Sequence, residues 1–257
     1  MTKGNEQMAT KPADRRAKIE AATPKSRRGA NRIVVATVVA VLAIAAVVAG
    51  VIIADQSKKS DLAAGGSSIP AGAAGMGAGL VVNPSAPADV PTLDLWADFQ
   101  CPACKSFEDS FGGQLDEMAQ NNEVKLVVHV LSFLDQNLGN DSSNRAANAA
   151  FCAADQKAFF PYYRGVYAIQ PAQEGDGYTD EQLRQVAEAS GITGAGLETW
   201  QKCYDAREHN QYVESVQTQS AKDGVNGTPT LKLDGEALEL RGLTPQSFAD
   251  QVKAASQ

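Results

Sequence analysis

Cys101 and Cys104 stand in the run "WADFQCPACKSFED", Trp96 to Asp109, with only Pro102 and Ala103 between them. Two thiols at this spacing support two kinds of chemistry. As thiolates they supply half of a tetrahedral zinc site. As a dithiol they close into a small disulfide ring and trade electrons with other thiols. A zinc site needs two more ligands, and the candidates are Cys152, Cys203, His129 and His209. No two of these form a second close-spaced pair, so no metal is expected. Redox exchange needs one thiol more acidic than the other. That follows if a strand delivers Cys101 to the mouth of a helix, where unpaired N–H groups and the helix dipole stabilise a thiolate. Cys104, one turn on, is then the more buried, resolving thiol.

The flanking sequence has elements that can do this. "TLDLWADF" (Thr92–Phe99) reads as a strand ending at the cysteines, with "LVV" (Leu80–Val82) a shorter one before it. Pro102 suits a first helical turn, where its missing N–H is not needed. Helical character continues through "KSFEDSFGGQLDEMAQNN", with a kink or break expected at Gly112-Gly113. "VKLVVHVLSF" (Val124–Phe133) is apolar enough for a strand buried on both faces. A long helical stretch runs from Ser142 to about Asp223, broken near Pro161, in "QEGDGY" and in "SGITGAG", with Asp180 placed to cap "EQLRQVAEAS". "TPTLKLDGEALELRG" reads as a hairpin turning at Asp234-Gly235. "TPQSFADQVKAAS" is a closing helix with Thr244 as N-cap and Pro245 first. Trp96 is expected in the core under the cysteines, and Phe159, Phe160, Tyr162, Tyr163 and Tyr167 in a helix core, with a peptide-docking patch as the rival. His129 is expected to be a satisfied core or strand-edge residue, and His209 to lie on a helix surface.

Charge divides the chain. Of its 23 Lys and Arg and 30 Asp and Glu, nine basic and three acidic residues fall in the first 54 positions, which leaves 14 against 27, a net of −13, from Asp55 onward. An acidic body lacks the basic face that nucleic acid requires. Between the two parts lies "IVVATVVAVLAIAAVVAGVIIA", residues 33–54, uncharged and with Thr37 its only polar side chain. At 1.5 Å per residue it spans roughly 33 Å, enough for a bilayer core of about 30 Å. Arg27, Arg28 and Arg32 flank its N-terminal side, which places the N-terminus in the cytoplasm and the body outside the cell membrane. The alternatives are a cleaved signal, for which the run is long and "IIADQS" a poor cleavage site, and a buried core helix. Residues 1–32 read as a disordered basic cytoplasmic tail, and residues 55–79, rich in Gly, Ala and Ser, as a flexible linker.

"DFQCPACKSFE" followed far downstream by "GVNGTPTLKLDG" resembles the DsbA-like branch of the thioredoxin superfamily, and especially its membrane-anchored actinobacterial members. The likeness covers about residues 80–256, within an expected DsbA-like domain of residues 80–257. It implies an α/β thioredoxin fold with an inserted helical domain at about 138–223, here preceded by a single transmembrane helix. It implies that Pro229 is cis and sits against the cysteines, and that the backbone of Thr228 pairs with the substrate chain. The implied activity is protein thiol–disulfide oxidoreduction through Cys101 and Cys104 with no diffusible cofactor. The implied partners are unfolded or newly exported cysteine-containing proteins and a membrane reoxidant of the DsbB or VKOR type. Three positions depart from the pattern. Ala103 stands where the strongest oxidants carry His, and cannot donate to the thiolate through its side chain. Leu95 stands where the family keeps a buried acid, and Asp98, the nearest replacement, is expected at the surface or at the strand end. Thr228 replaces the Val of the best-known oxidase.

With Cys101 and Cys104 taken as the redox pair, Cys152 and Cys203 remain, 51 positions apart on expected helices. They are either two small buried thiols or, as an oxidising compartment favours, a structural disulfide clamping the helical block. The similar actinobacterial proteins carry such a second disulfide. Two rivals to an oxidase stay open: an isomerase or reductase kept reduced by a membrane electron donor, and a non-catalytic thioredoxin-fold module that binds peptides.

Overall fold

The computed structural model describes residues 66–256, together with Val47. The expected tail at 1–32, the anchor at 33–54 apart from Val47, and linker residues 55–65 lie outside them. Among the described residues no helix is long and apolar enough to cross a membrane.

Five strands form one sheet: β1 (Leu80–Val81), β2 (Thr92–Asp98), β3 (Lys125–Leu131), β4 (Thr230–Leu233) and β5 (Glu236–Ala237), in the order β1-β3-β2-β4-β5. The central β2 pairs parallel with β3, and the other neighbours pair antiparallel. A parallel pair needs a long crossover, and helix α1 (Pro102–Gln120) supplies it. The short β4–β5 hairpin turns on Asp234 (φ 49°) and Gly235 (φ 85°), the positive-φ pair that a two-residue turn demands. Helix α8 (Pro245–Ala255) closes the chain with Thr244 and Ser247 capping each other's backbone, and Phe248 meets Phe111 of α1 edge-on.

Between β3 and β4 lie α2 (Leu134–Leu138), α3 (Ser142–Asp155), α4 (Phe159–Ala168), α5 (Asp180–Ala189), α6 (Ala195–Asp205) and α7 (Asn210–Lys222). The centre of this block is α3, where Ala146, Ala147, Ala149, Ala150, Ala153 and Ala154 are all buried. Small side chains on both flanks let α4, α6 and α7 approach one helix together. Cys152 of α3 and Cys203 of α6 are joined in a disulfide with their Cα atoms 5.9 Å apart.

Several expectations are corrected. Helix α1 runs unbroken through Gly112-Gly113. A Cβ at Gly112 would lie 2.6 Å from Glu108 Oε2, so that carboxyl would have to move. The expected break near Pro161 is present, between Asp155 and Phe159, and Pro161 itself sits in the first turn of α4, where its lost N–H has no partner to miss. The interruption falls just before, where Lys157 takes a left-handed φ of 63°. Thr179, not Asp180, is the N-cap of α5, in a reciprocal box with Gln182. The stretch 66–79, expected as part of a flexible linker, lies against the helical block. Gly66 and Ser68 donate to the carbonyls of Arg207 and Glu208, Ala71 to Asp155, and Gly77 to Ser215. Gly66 approaches so closely that a Cβ would lie 2.6 Å from the Glu208 carbonyl oxygen. The glycines that suggested flexibility are here the means of backbone contact. His209, expected on a helix surface, is buried, with its ring nitrogens 2.9 Å from the Ser68 carbonyl and 2.8 Å from Asp155 Oδ2.

Candidate active site

Strand β2 ends at Asp98, a short turn follows, and Cys101 occupies the N-cap of α1 in an extended conformation (φ −76°, ψ 116°). Its sulfur therefore lies over the first turn of the helix. Cys101 is 8 % exposed and Cys104, inside that turn, only 1 %. The Cys101 thiol is drawn down to about 6, first by a hydrogen bond from the Cys104 thiol, against burial, with help from Thr228 and from the amides of Cys104 and Ala103. Ala103 thus contributes through its backbone what its side chain cannot. Cys104 moves the other way, well above the usual thiol range, because it is buried and lies beside Cys101. At neutral pH Cys101 is largely thiolate and Cys104 is thiol, the asymmetry that disulfide exchange requires.

The second wall comes from strand register. Trp96 pairs with Thr230, so the residues just before Thr230 reach back over the turn that holds the cysteines. The Thr228–Pro229 bond is cis, and the Thr228 carbonyl oxygen lies 3.5 Å from Cys101 Sγ.

The helical block holds the same turn from the other side. Tyr167 donates to the carbonyl of Asp98 at 3.0 Å and Tyr178 to that of Phe99 at 2.6 Å. Gln170 Nε2 donates to the carbonyls of Phe99 and Cys101 at 2.6 and 3.1 Å. Tyr162, Tyr163, Phe159 and Phe160 are buried with Tyr167 as the helix core their composition suggested. Trp96 is buried and stacks on His129 at 4.3 Å, and His129 bonds to Asp94 at 2.8 Å.

Asp98 is not a surface residue: it is 0 % exposed. Its Oδ1 accepts from Gln100 N and from Ser143 Oγ, and its Oδ2 from Leu134 N. Burial pushes its carboxyl up to about 7 against these donors. Asp135 accepts from the amides of Ser143 and Asn144 and from Gln100 Nε2, and is pushed up to about 6, chiefly by burial. Leu95, at the position of the family's buried acid, is core. A third buried acid lies on the active-site helix. Glu108 of α1 is 7 % exposed and burial pushes it up to about 7. Its signal was present, because four residues after Cys104 is the same helix face. The roles of Gln170, Tyr178 and Gln100 had no local signal, since each acts on a turn 35 or more residues away or through partners at that distance.

Among the described residues, the one cluster of His, Cys, Asp and Glu close enough to share an ion is Cys152, Cys203 and His209. Its two sulfurs are already bonded to each other, and among the described residues neither Cys101 nor Cys104 belongs to such a cluster.

A family model described as thioredoxin matches residues 83–254. The chain belongs to the thioredoxin family. Two solved structures from Mycobacterium tuberculosis are similar beyond fold. A disulfide bond oxidoreductase, DsbG, in reduced form is 28 % identical over 64 % of this chain and 77 % of its own, with a TM-score of 0.54. Oxidised DsbA is 26 % identical over 66 % of this chain and 90 % of its own, with a TM-score of 0.55. MdbA from Actinomyces oris, a thiol–disulfide oxidoreductase, shares the fold at 19 % identity, over 73 % of this chain and 97 % of its own, with a TM-score of 0.60. The serine/threonine-protein kinase PknE of M. tuberculosis is 29 % identical over 107 residues, which are 39 % of this chain and 19 % of the kinase. The match thus spans about a fifth of the length of these curated relatives.

Proposed function

We propose that this chain is an extracytoplasmic thiol–disulfide oxidoreductase, held to the cell membrane by residues 33–54, that forms disulfides in newly exported, still unfolded proteins. The observation that carries this reading is the opposed acidity of the two buried thiols, Cys101 drawn down and Cys104 pushed up. A thiol of low pKa is a good leaving group, so the asymmetry favours giving a disulfide away. A substrate thiolate attacks Sγ of Cys101. A substrate–Cys101 disulfide forms, the Cys101–Cys104 bond breaks, and its electron pair stays on Cys104. A second substrate thiolate then attacks the substrate sulfur of the mixed disulfide and releases Cys101 as thiolate. The substrate loses two electrons, the protein gains them, and a membrane reoxidant of the DsbB or VKOR type removes them. Backbone around Thr228 and Pro229 holds the substrate strand while this happens.

The test uses the oxidised full chain in detergent and a reduced, unfolded protein with native disulfides. Stoichiometric oxidation of the substrate, lost in Cys101→Ser, is the expected result. Net reduction of the oxidised substrate by the dithiol form would support a reductase. Binding of the unfolded substrate by both the wild type and Cys101→Ser, with no oxidation or reduction by either, would support a peptide-binding module. Labelling of Cys101 by a membrane-impermeant maleimide on intact, mildly reduced cells tests its location.

A further inference from the structure

Three side chains able to ligate a metal meet in the helical block without being neighbours in the chain. Cys152 comes from the C-terminal half of α3, Cys203 from the last turn of α6 and His209 from the N-cap of α7. Both sulfurs and a ring nitrogen of His209 lie within 4.8 Å of one another. The chain turns back after α6 through Arg207 (φ 51°), with the Glu208 amide on the Cys203 carbonyl, and this returns His209 to Cys203. All three residues are buried. In the oxidised protein the two sulfurs are bonded to each other. Once that bond is reduced, the block holds two thiols and an imidazole, the soft donor set that zinc takes in preference to hard cations. Two buried thiolates are costly alone, and a divalent cation between them neutralises both.

The geometry fits such an ion. Tetrahedral zinc, with Zn–S bonds of about 2.3 Å, holds its sulfurs roughly 3.8 Å apart. The Cα atoms of Cys152 and Cys203 are 5.9 Å apart, so rotation about Cα–Cβ reaches that spacing with both helices in place. His209 is already oriented as metal-bound imidazoles are. Its Nδ1 lies 2.9 Å from the Ser68 carbonyl oxygen and its Nε2 2.8 Å from Asp155 Oδ2. One nitrogen can serve the ion while the other keeps its oxygen. Asn148 fixes the turn that carries the ring, accepting from the His209 amide and donating to the Tyr204 carbonyl. The Asp155 side chain is 34 % exposed and leads from the buried ring to solvent, where an ion can enter.

We propose that the reduced chain binds one zinc ion through Cys152 Sγ, Cys203 Sγ and a ring nitrogen of His209, with water in the fourth position. The second cysteine pair then alternates between a disulfide and a metal site. A dithiol reductant passes two electrons and two protons to the Cys152–Cys203 bond and itself closes to a disulfide. Zinc binds as the two new thiols release their protons to water, and no electron moves in that step. Both closures tie α3 to α6. The metal adds the N-cap of α7 and, through the outer partners of His209, the stretch 66–71, whose Ala71 amide also donates to Asp155. The site stands apart from the exchange activity proposed for Cys101 and Cys104.

The experiment uses the full chain in detergent with Cys101→Ser and Cys104→Ser, which removes the competing thiol pair. The protein is reduced with a water-soluble phosphine in the absence of oxygen and titrated with Co²⁺. Thiolate charge-transfer and tetrahedral d–d absorption of the cobalt report ligands and geometry together. One equivalent should bind with both signatures and be displaced by one equivalent of Zn²⁺, and the oxidised protein should show neither. Cys152→Ser and Cys203→Ser should each abolish stoichiometric binding. His209→Gln should weaken it more than about tenfold, the loss that removal of even an outer-shell partner brings. If reduction alone unfolds the block, Zn²⁺ should restore its far-ultraviolet helical signal. A folded, reduced chain that binds no Co²⁺ overturns the proposal. So does full binding in any of the three variants, or an unfolded reduced chain that Zn²⁺ does not refold.

Discussion

The molecule holds two cysteine pairs in opposite settings. Cys101 and Cys104 lie within one helical turn, at the mouth of α1, where amide groups converge on one sulfur and apolar burial surrounds the other. Cys152 and Cys203 come from the flanks of two helices, 51 residues apart in the chain, and tie α3 to α6 inside the helical block. The first pair has a polarity between its two thiols; the second is closed as a disulfide. Backbone placement, more than the thiols themselves, separates a reactive disulfide from a structural one. The two are also coupled, because the block that Cys152 and Cys203 clamp is the one whose Tyr167, Gln170 and Tyr178 grip the turn before Cys101.

The largest effect expected from breaking this contrast is on exchange. Cys101→Ser should lower the rate of substrate oxidation by more than about a thousandfold, as loss of a nucleophile does, and leave the fold intact by circular dichroism. A Cys101→Ser protein with full activity would erase the distinction between the pairs. The complementary change, Cys152→Ala with Cys203→Ala, should cost about 2–5 kcal/mol of stability in denaturant titration, and the Cys101 thiolate absorbance should still titrate near 6.

The next effect depends on pH. The Cys101 thiol is drawn down to about 6 in the folded protein, below the roughly 8.5 of an unfolded chain. A group depressed on folding adds stability above its unfolded value and loses it as pH falls through its folded value. The oxidised protein has no thiol to titrate here. The reduced form should therefore gain stability over the oxidised form between pH 6 and about 8.5, by roughly 3 kcal/mol, with the gain gone below pH 6. Burial raises the pKa of Asp98, Glu108 and Asp135, so these groups favour the fold on the acid side. They are present in both forms, and Cys104, pushed well above the usual thiol range, offsets the gain only as pH rises past about 8.5, where the unfolded thiol ionises, so below that the difference reports Cys101. Equal stability of both forms at pH 5 and pH 8 would contradict the thiolate assignment.

The smallest effect tests the coupling. Gln170→Ala removes two donors from the turn and should cost about 1 kcal/mol, with a few-fold slower exchange and an unchanged Cys152–Cys203 bond. No change in exchange would mean that the helical block covers the site without holding it.

Local chemistry made much of this legible from the chain. The Cys-Pro-Ala-Cys spacing, Pro102 at a helix start, the Asp-Gly turn and the Thr244 cap are each decided within four residues, and the structure carries all of them. What the chain did not disclose depends on partners far away. Asp98 is buried because Ser143, 45 residues on, donates to it. His209 is buried because Ser68 and Asp155 take both ring nitrogens. The glycines of 66–79 suggest a tether until the Arg207–Gln211 backbone is there to receive them. A polar or glycine residue becomes core when a distant element satisfies it, and composition does not report that satisfaction.

The most direct test of the account is the reduction potential of the Cys101–Cys104 pair in the full chain, equilibrated with glutathione in detergent. A stabilised Cys101 thiolate predicts an oxidising value, in the range of about −120 to −180 mV that disulfide donors occupy. A value near −270 mV, that of thioredoxin, would mean that electrons leave this protein for its substrates, and the proposed direction of transfer would be wrong.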